Sequence, residues 1–183
     1  MKHLLILSGM LVVLWPLTSA QGAEDGSASR IAEEVRHQIV TLPGYRVFDF
    51  LAYRIDGSKV KLFGHVTRLA LKGAAEEAVK SIAGVTGVSN EIEVLRPSPT
   101  DEIIRFAVYQ AIYSRESLQK YQLGAVAPIH IIVENGNVTL EGVVNSAGDK
   151  DLAGLAAMGV SGVLKLVNNL SALPDGSGIM ARV

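Results

Sequence analysis

Three histidines and two pairs of adjacent carboxylates are the residues of this chain best suited to acid–base or metal chemistry. The histidines are His37, His65 and His130, and the pairs are Glu33-Glu34 and Glu76-Glu77. Neutral imidazole binds metals and shuttles protons near pH 7. No two of the three fall four residues apart, the spacing that aims a histidine pair at one metal from a helix. His65 and His130 sit on the open faces of two different strands, so a metal shared between them is the one constellation the pattern leaves open. Single histidines resting on a sheet face are the ordinary alternative. Neighbouring carboxylates on a helix point about 100° apart, which suits two solvated faces rather than an acid/base dyad. There is no Gly-x-Ser-x-Gly elbow and no phosphate loop. We assign no catalytic residue, no metal ligand and no cofactor, and read the protein as a binder rather than an enzyme.

Composition narrows the class. The 183 residues are 49% hydrophobic and 19% charged, with a formal charge of -1. That is too apolar for a disordered chain. It is also too nearly neutral to recruit nucleic acid through a long-range field. With no cysteine there is no disulfide framework, thiolate metal site or lipid-bearing thiol. Met1-Lys2-His3 is a basic start. Leu4 to Leu17 is apolar except at Ser8, Gly9 and Pro16, and Thr18-Ser19-Ala20 supplies small residues. This reads as a cleaved secretion signal over residues 1–20, too short to span a bilayer comfortably. An uncleaved anchor is the alternative. Residues 21–28 read as a flexible leader and 174–183 as a loose tail.

Between them the chain repeats itself. A shift of 78 residues lays Val60-Lys61-Leu62-Phe63-Gly64-His65-Val66 on Val138-Thr139-Leu140-Glu141-Gly142-Val143-Val144. The same shift pairs Lys72 with Lys150, Gly84-Val85 with Gly162-Val163, and Asn90 with Asn168. Without a gap, 10 of 33 positions are identical. Upstream, Ile31, Val35 and Ile39 match Ile104, Val108 and Ile112 at a shift of 73, so the second copy carries about five extra residues before its first strand. Each copy predicts helix, strand, strand, helix, strand, an α+β class with two small repeats over 29–96 and 97–173. The apolar spacing of Ile31, Val35 and Ile39 is helical, and Pro43-Gly44 stops it. Ser98 is placed to cap a helix that starts at Pro99. Asn135-Gly136 predicts a tight hairpin. A helix is expected over about 147–160, followed by one strand over about 163–172. The short link at 96–98 predicts copies that pack as neighbours.

The run Ile131-Ile132-Val133-Glu134-Asn135-Gly136-Asn137-Val138-Thr139-Leu140-Glu141-Gly142-Val143-Val144, with Gly162-Val163 and Asn168-Asn169-Leu170, resembles the BON domain. So do Val60 to Val66, Gly84-Val85 and Asn90 in the first copy. The family takes its name from a secreted, osmotically induced periplasmic protein and from nodulation proteins. The resemblance implies a three-stranded mixed sheet with two helices on one face in each copy. It also implies a periplasmic, envelope-maintenance or stress role without enzymatic activity, and binding to phospholipid or envelope proteins. Some tandem members are lipoproteins, a property that does not carry over because no cysteine follows the signal here.

The copies differ most on their second helix. Ala75, Ala78, Val79 and Ile82 share one arc, as do Ala153, Ala156, Ala157 and Val160, and this arc is expected to face the sheet. The opposite arc in copy one holds Glu76, Glu77 and Lys80. Copy two has Gly154, Leu155 and Met158 there, with Leu152 and Gly159 at its edge. An apolar outer face on so small a domain has a partner. The candidate contact residues are therefore Leu152, Leu155, Met158 and Lys150. Residues 30–96 hold ten basic and eight acidic residues, whereas 97–183 hold six and eight. Attraction to anionic lipid would thus fall to Arg68, Lys72 and Lys80 of copy one. The alternatives are a holdase-like chaperone surface and a homo-oligomer contact.

Overall fold

A computed structural model describes residues 21–173 apart from residue 125. The expected secretion signal over 1–20 and the tail over 174–183 lie outside the described residues. The first copy runs α1 (Gln21–Val40), β1 (Phe50–Asp56), β2 (Lys59–Val66), α2 (Leu69–Lys80) and β3 (Gly87–Val94). The second runs α3 (Pro99–Tyr113), a 3-10 turn (Glu116–Gln122), β4 (Ile129–Glu134), β5 (Asn137–Val144), α4 (Ala147–Met158), β6 (Lys165–Asn168) and β7 (Ser171–Ala172). The 3-10 turn falls where the second copy is longer. Residues 21–28, read from sequence as a leader, are helical from Gln21. They contain no proline that would break the helix.

Each sheet combines an antiparallel hairpin with a parallel crossover. β1 pairs antiparallel with β2, and β2 pairs parallel with β3 through α2. β4, β5 and β6 repeat that order. Parallel neighbours need a long connection, and the helix between them supplies it. The strand expected over 163–172 is interrupted. β6 ends at Asn168, and β7 resumes the pairing with β5 at Val143 and Val144. The gap lies opposite Glu141 and Gly142 of β5.

Alternate strand residues bury against the helices. In copy one Val60, Leu62, Val66 and Ile92 meet Val35, Ile39, Ala75 and Val79. In copy two Ile129, Ile131, Leu140 and Leu170 meet Val108, Ile112, Ala153 and Ala157. Asn90 and its counterpart Asn168 tie strand to helix in the same way. Each side-chain amide donates to a helix carbonyl, Lys72 at 3.0 Å or Lys150 at 2.9 Å, and each amide oxygen accepts a backbone N–H two residues on.

The start of α3 also holds the second hairpin. Ser98 Oγ accepts the Asp101 N–H, and the buried Asp101 carboxylate accepts N–H groups from Asn135 and Gly136, both at 2.9 Å. Asn135 and Gly136 have φ of 52° and 74°, the doubly left-handed turn their identities predict. Asp101→Ala strips those turn donors of their acceptor. The expected cost is about 2–4 kcal/mol of stability, read from urea unfolding. A loss below half of the lower figure would show that water replaces the carboxylate.

The copies pack as neighbours. The segment between α1 and β1 lies on the second domain, and the Val47 carbonyl accepts the Ile131 N–H at 2.8 Å, occupying part of the edge of β4. Phe48 meets Phe106 edge-on at 5.2 Å.

Candidate functional site

The histidines assemble no centre. His37 is exposed on α1. His65 lies half-exposed on β2, 3.6 Å from Glu93. His130 is only 7% exposed, which corrects its reading as a residue resting on an open sheet face. The Tyr45–Phe50 segment of the first copy covers it. Its ring lies 5.3 Å from that of Tyr45 and 5.7 Å from that of Phe50, and Nε2 is 3.4 Å from the Tyr45 hydroxyl. Burial pushes the imidazole below its ordinary range, against the pull of the Asp49 and Arg46 backbone and the Asp49 charge. Burial also pushes the Tyr45 phenol up to about 12. Among the described residues, no three His, Asp or Glu side chains are gathered as a metal would need. Glu33 pairs with Arg36 at 3.0 Å and Glu76 with Lys80 at 2.6 Å, so the carboxylate pairs are surface groups.

Asp149 is the most elaborated polar centre. It lies in the first turn of α4, accepts the Tyr121 hydroxyl at 2.6 Å and pairs with Lys120 at 2.9 Å. Burial would raise its pKa, but the Tyr121 hydroxyl, Lys120 and Ser146 bring it below the usual carboxylate value. Its counterpart at the 78-residue shift is Leu71, a core residue. The network fastens the extra 3-10 turn to α4, and every partner is internal.

The outer face of α4 is accessible. Leu155 is 73% exposed and Met158 52%. Leu152 is half-buried and packs on the core, so it supports the face rather than forming it. Gly154 is buried, contrary to its place on the outer arc. A Cβ there would come within 2.8 Å of Asn168 Nδ2, so this position points at the sheet. In copy one Glu76 occupies that place and accepts the Asn90 amide at 2.9 Å. Lys150 is partly buried.

The basic residues are separated from this face. α2, which carries Lys72 and Lys80, packs on α1, β2 and β3, whereas α4 packs on α3, the 3-10 turn and β5 to β7. Arg68 donates to the Gly44 carbonyl, Lys72 is partly buried, and Lys80 is shared between Glu76 and Glu77.

Exposure reveals more apolar positions than the helix wheel. Leu164 is 78% exposed, Ile103 70% and Phe106 51%, and Val167 is exposed as well. In the first copy the repeat places Thr86, Arg30, Glu33 and Ser89 at those positions, and Glu77 and Lys80 where Leu155 and Met158 stand. All six counterparts are exposed. Six wet positions have therefore exchanged polar side chains for apolar ones in one copy only. Aligning the copies would have flagged Leu164, Ile103, Phe106 and Val167. Only the fold shows that none of the four is core. Among the described residues no helix is long and apolar enough to cross a membrane.

Comparison with known proteins agrees with the repeat. No curated protein matches the chain. Among the solved structures that resemble it are two of CdsD, a structural protein of the type III secretion system of Chlamydia trachomatis. One is 14% identical with a TM-score of 0.30, covering 83% of this chain and 96% of the other. The second, its C-terminal domain, is 14% identical with a TM-score of 0.27, covering 78% of this chain and 96% of that one. The BON domain model matches twice, at residues 27–96 and 100–174. Two matched copies, each folded as helix, hairpin, helix and parallel strand, place this chain in the BON domain family, as a tandem member.

Proposed function

We propose that the chain is a non-enzymatic periplasmic protein of envelope maintenance or stress, and that its second domain docks on a phospholipid surface through the outer face of α4. The observation that carries this reading is the exchange of exposed Glu77 and Lys80 for exposed Leu155 and Met158 on that face, part of a one-sided loss of polar side chains that also reaches Leu164, Ile103 and Val167. A random surface drift would scatter such changes over both copies. Full burial of Leu155 and of Met158 would each contribute roughly 1.5–3 kcal/mol. That supports reversible contact rather than permanent anchoring. With Lys80 held by two glutamates and a net negative second half, attraction to anionic headgroups is a minor contribution. The contact is therefore expected to depend little on salt.

The test is co-sedimentation of residues 21–183 with phosphatidylcholine vesicles, and with vesicles containing phosphatidylglycerol. The Leu155→Glu/Met158→Glu variant is run in parallel. Both side chains are exposed, so the variant keeps its unfolding midpoint. Its vesicle affinity is expected to fall at least about tenfold, the equivalent of about 1.4 kcal/mol. A parent protein that stays in the supernatant would overturn the lipid reading. Sedimentation velocity would then show whether the face joins two copies, and aggregation assays whether it holds unfolded clients.

A further inference from the structure

The second helix of each copy ends in the same backbone shape. After α2 the Ser81, Ile82 and Val85 N–H groups donate to the Glu77, Val79 and Ile82 carbonyls. After α4 those of Gly159, Val160 and Val163 donate to Leu155, Ala157 and Val160. The glycines in the two turns, Gly84 and Gly162, have φ of 94° and 92°. Carbonyls left over at such an end carry the negative pole of the helix and attract cations. Copy one supplies two. Lys80 stands in the last turn of α2, and Arg30 of α1 donates to the Ala83 carbonyl at 2.9 Å.

Copy two has lost both. The repeat puts Met158 in place of Lys80, Ile103 in place of Arg30 and Ser161 in place of Ala83. α4 has no basic residue in its last turn, and an isoleucine cannot donate to the Ser161 carbonyl as Arg30 does to Ala83. Lys165 does not replace them. Leu166 packs on the core and lies 3.8 Å from a Cβ placed on Gly154 of α4, so its strand neighbour Lys165 points from the opposite face of the sheet.

The surroundings are apolar instead. Met158, Ile103 and Leu164 are all exposed. Ile104, next to Ile103, reaches within 3.2 Å of a Cβ placed on Gly162. Leu164 and the Gly162 carbonyl lie 3.0 and 3.1 Å from one placed on Gly136. An electronegative helix end without its cation, ringed by aliphatic side chains, fits a cation carried at an apolar surface. A carbonyl needs an N–H donor, so a primary ammonium suits it and a quaternary one does not. Residues 97–183, with six basic and eight acidic residues, carry the charge that attracts a cation.

We propose that the end of α4 seats the primary ammonium of an ethanolamine headgroup on the Ser161 carbonyl, between Ile103, Met158 and Leu164. The assignment rests on the lipid reading above and adds to it a preference for ethanolamine over choline and glycerol headgroups.

The test uses residues 21–183 and two soluble probes, dihexanoyl phosphatidylethanolamine and dihexanoyl phosphatidylcholine, each below its micelle-forming concentration. Backbone NMR is the readout. The ethanolamine lipid is expected to shift the Ser161 and Gly162 amide signals with an affinity at least about fivefold above that of the choline lipid. Ile103→Arg, which returns the donor of copy one, is expected to bring the two affinities within about twofold. Ile103→Met keeps the preference. On vesicles the parent is expected to favour phosphatidylethanolamine mixed with phosphatidylcholine over phosphatidylcholine alone, and phosphatidylglycerol gives no comparable gain. Equal affinities of the parent for the two soluble lipids, or a preference that survives Ile103→Arg, would overturn the ammonium site. A parent that shows the soluble-lipid preference but stays in the supernatant with every vesicle would uphold the site and overturn the docking reading alone.

Discussion

Gly142→Ala is expected to unfold the second domain, at a cost above about 4 kcal/mol, whereas Gly57→Ala costs about 1 kcal/mol. Both glycines have positive φ, 122° at Gly142 and 57° at Gly57. The difference is space and the region of backbone occupied. At Gly57 nothing lies within 4 Å of an added Cβ, and a left-handed turn is open to alanine at a modest penalty. At Gly142 the Cβ would lie 2.1 Å from the Pro128 carbonyl oxygen, which is fixed by accepting the Val143 N–H at 3.0 Å. Neither backbone can yield without breaking that bond or the β4–β5 pairing. Gly64 is the same device in copy one, with φ of 121° and the Phe50 oxygen 2.1 Å away, so Gly64→Ala should be equally severe. Urea unfolding of the three variants, with NMR to assign the lost domain, settles the point. Similar midpoints for Gly142→Ala and Gly57→Ala would show that β5 relaxes around the added methyl group.

Local chemistry made much of this fold legible. Asn135-Gly136 has few alternatives to a tight hairpin, and Ser98-Pro99 few alternatives to a helix start. The alternation in Val60, Leu62 and Val66 names the buried face directly. Long-range contacts hid the rest. His130 reads as an outward strand residue because alternation says nothing about a loop from another domain lying over that face. Gly154 reads as an outer helix position at 100° per residue, but the outcome turns on Asn168, fourteen residues away in sequence and in van der Waals reach in space. At the candidate site, Leu155 and Met158 were legible because their counterparts Glu77 and Lys80 are charged. Leu164 and Ile103 were missed, although the repeat sets them against Thr86 and Arg30, because an apolar residue beside a strand or on a helix is normally core. Exposure, which no pattern supplies, separates the two.

Lowering the pH from 7 is expected to weaken the protein in two stages, the first of them set by His130. Its imidazole is held below the unfolded value of about 6.5, chiefly by burial between the copies. The groups that face it are the Tyr45 hydroxyl, the Asp49 carboxylate and backbone, the Arg46 backbone and the Phe50 ring, and its partner across the strand is Glu141. Asp49 is itself committed to the Thr67 N–H and hydroxyl at 2.7 and 2.8 Å and does not pair with the ring. Below pH 6.5 the unfolded chain therefore binds a proton that the folded chain resists. Stability is full above that pH and declines as pH falls toward the folded value. The second stage belongs to Asp101 and Asp149. Burial raises their pKa values, but the donors around each outweigh it and leave both below 3.8, so their contribution persists above 3.8 and is lost below it. Thermal unfolding of the parent should thus slope downward between pH 7 and 5, and His130→Phe, which keeps a ring against Tyr45 and Phe50, should flatten that slope while leaving the acid stage intact. An unchanged slope in His130→Phe would mean that the imidazole titrates normally, and that the contact between the copies opens to water in solution.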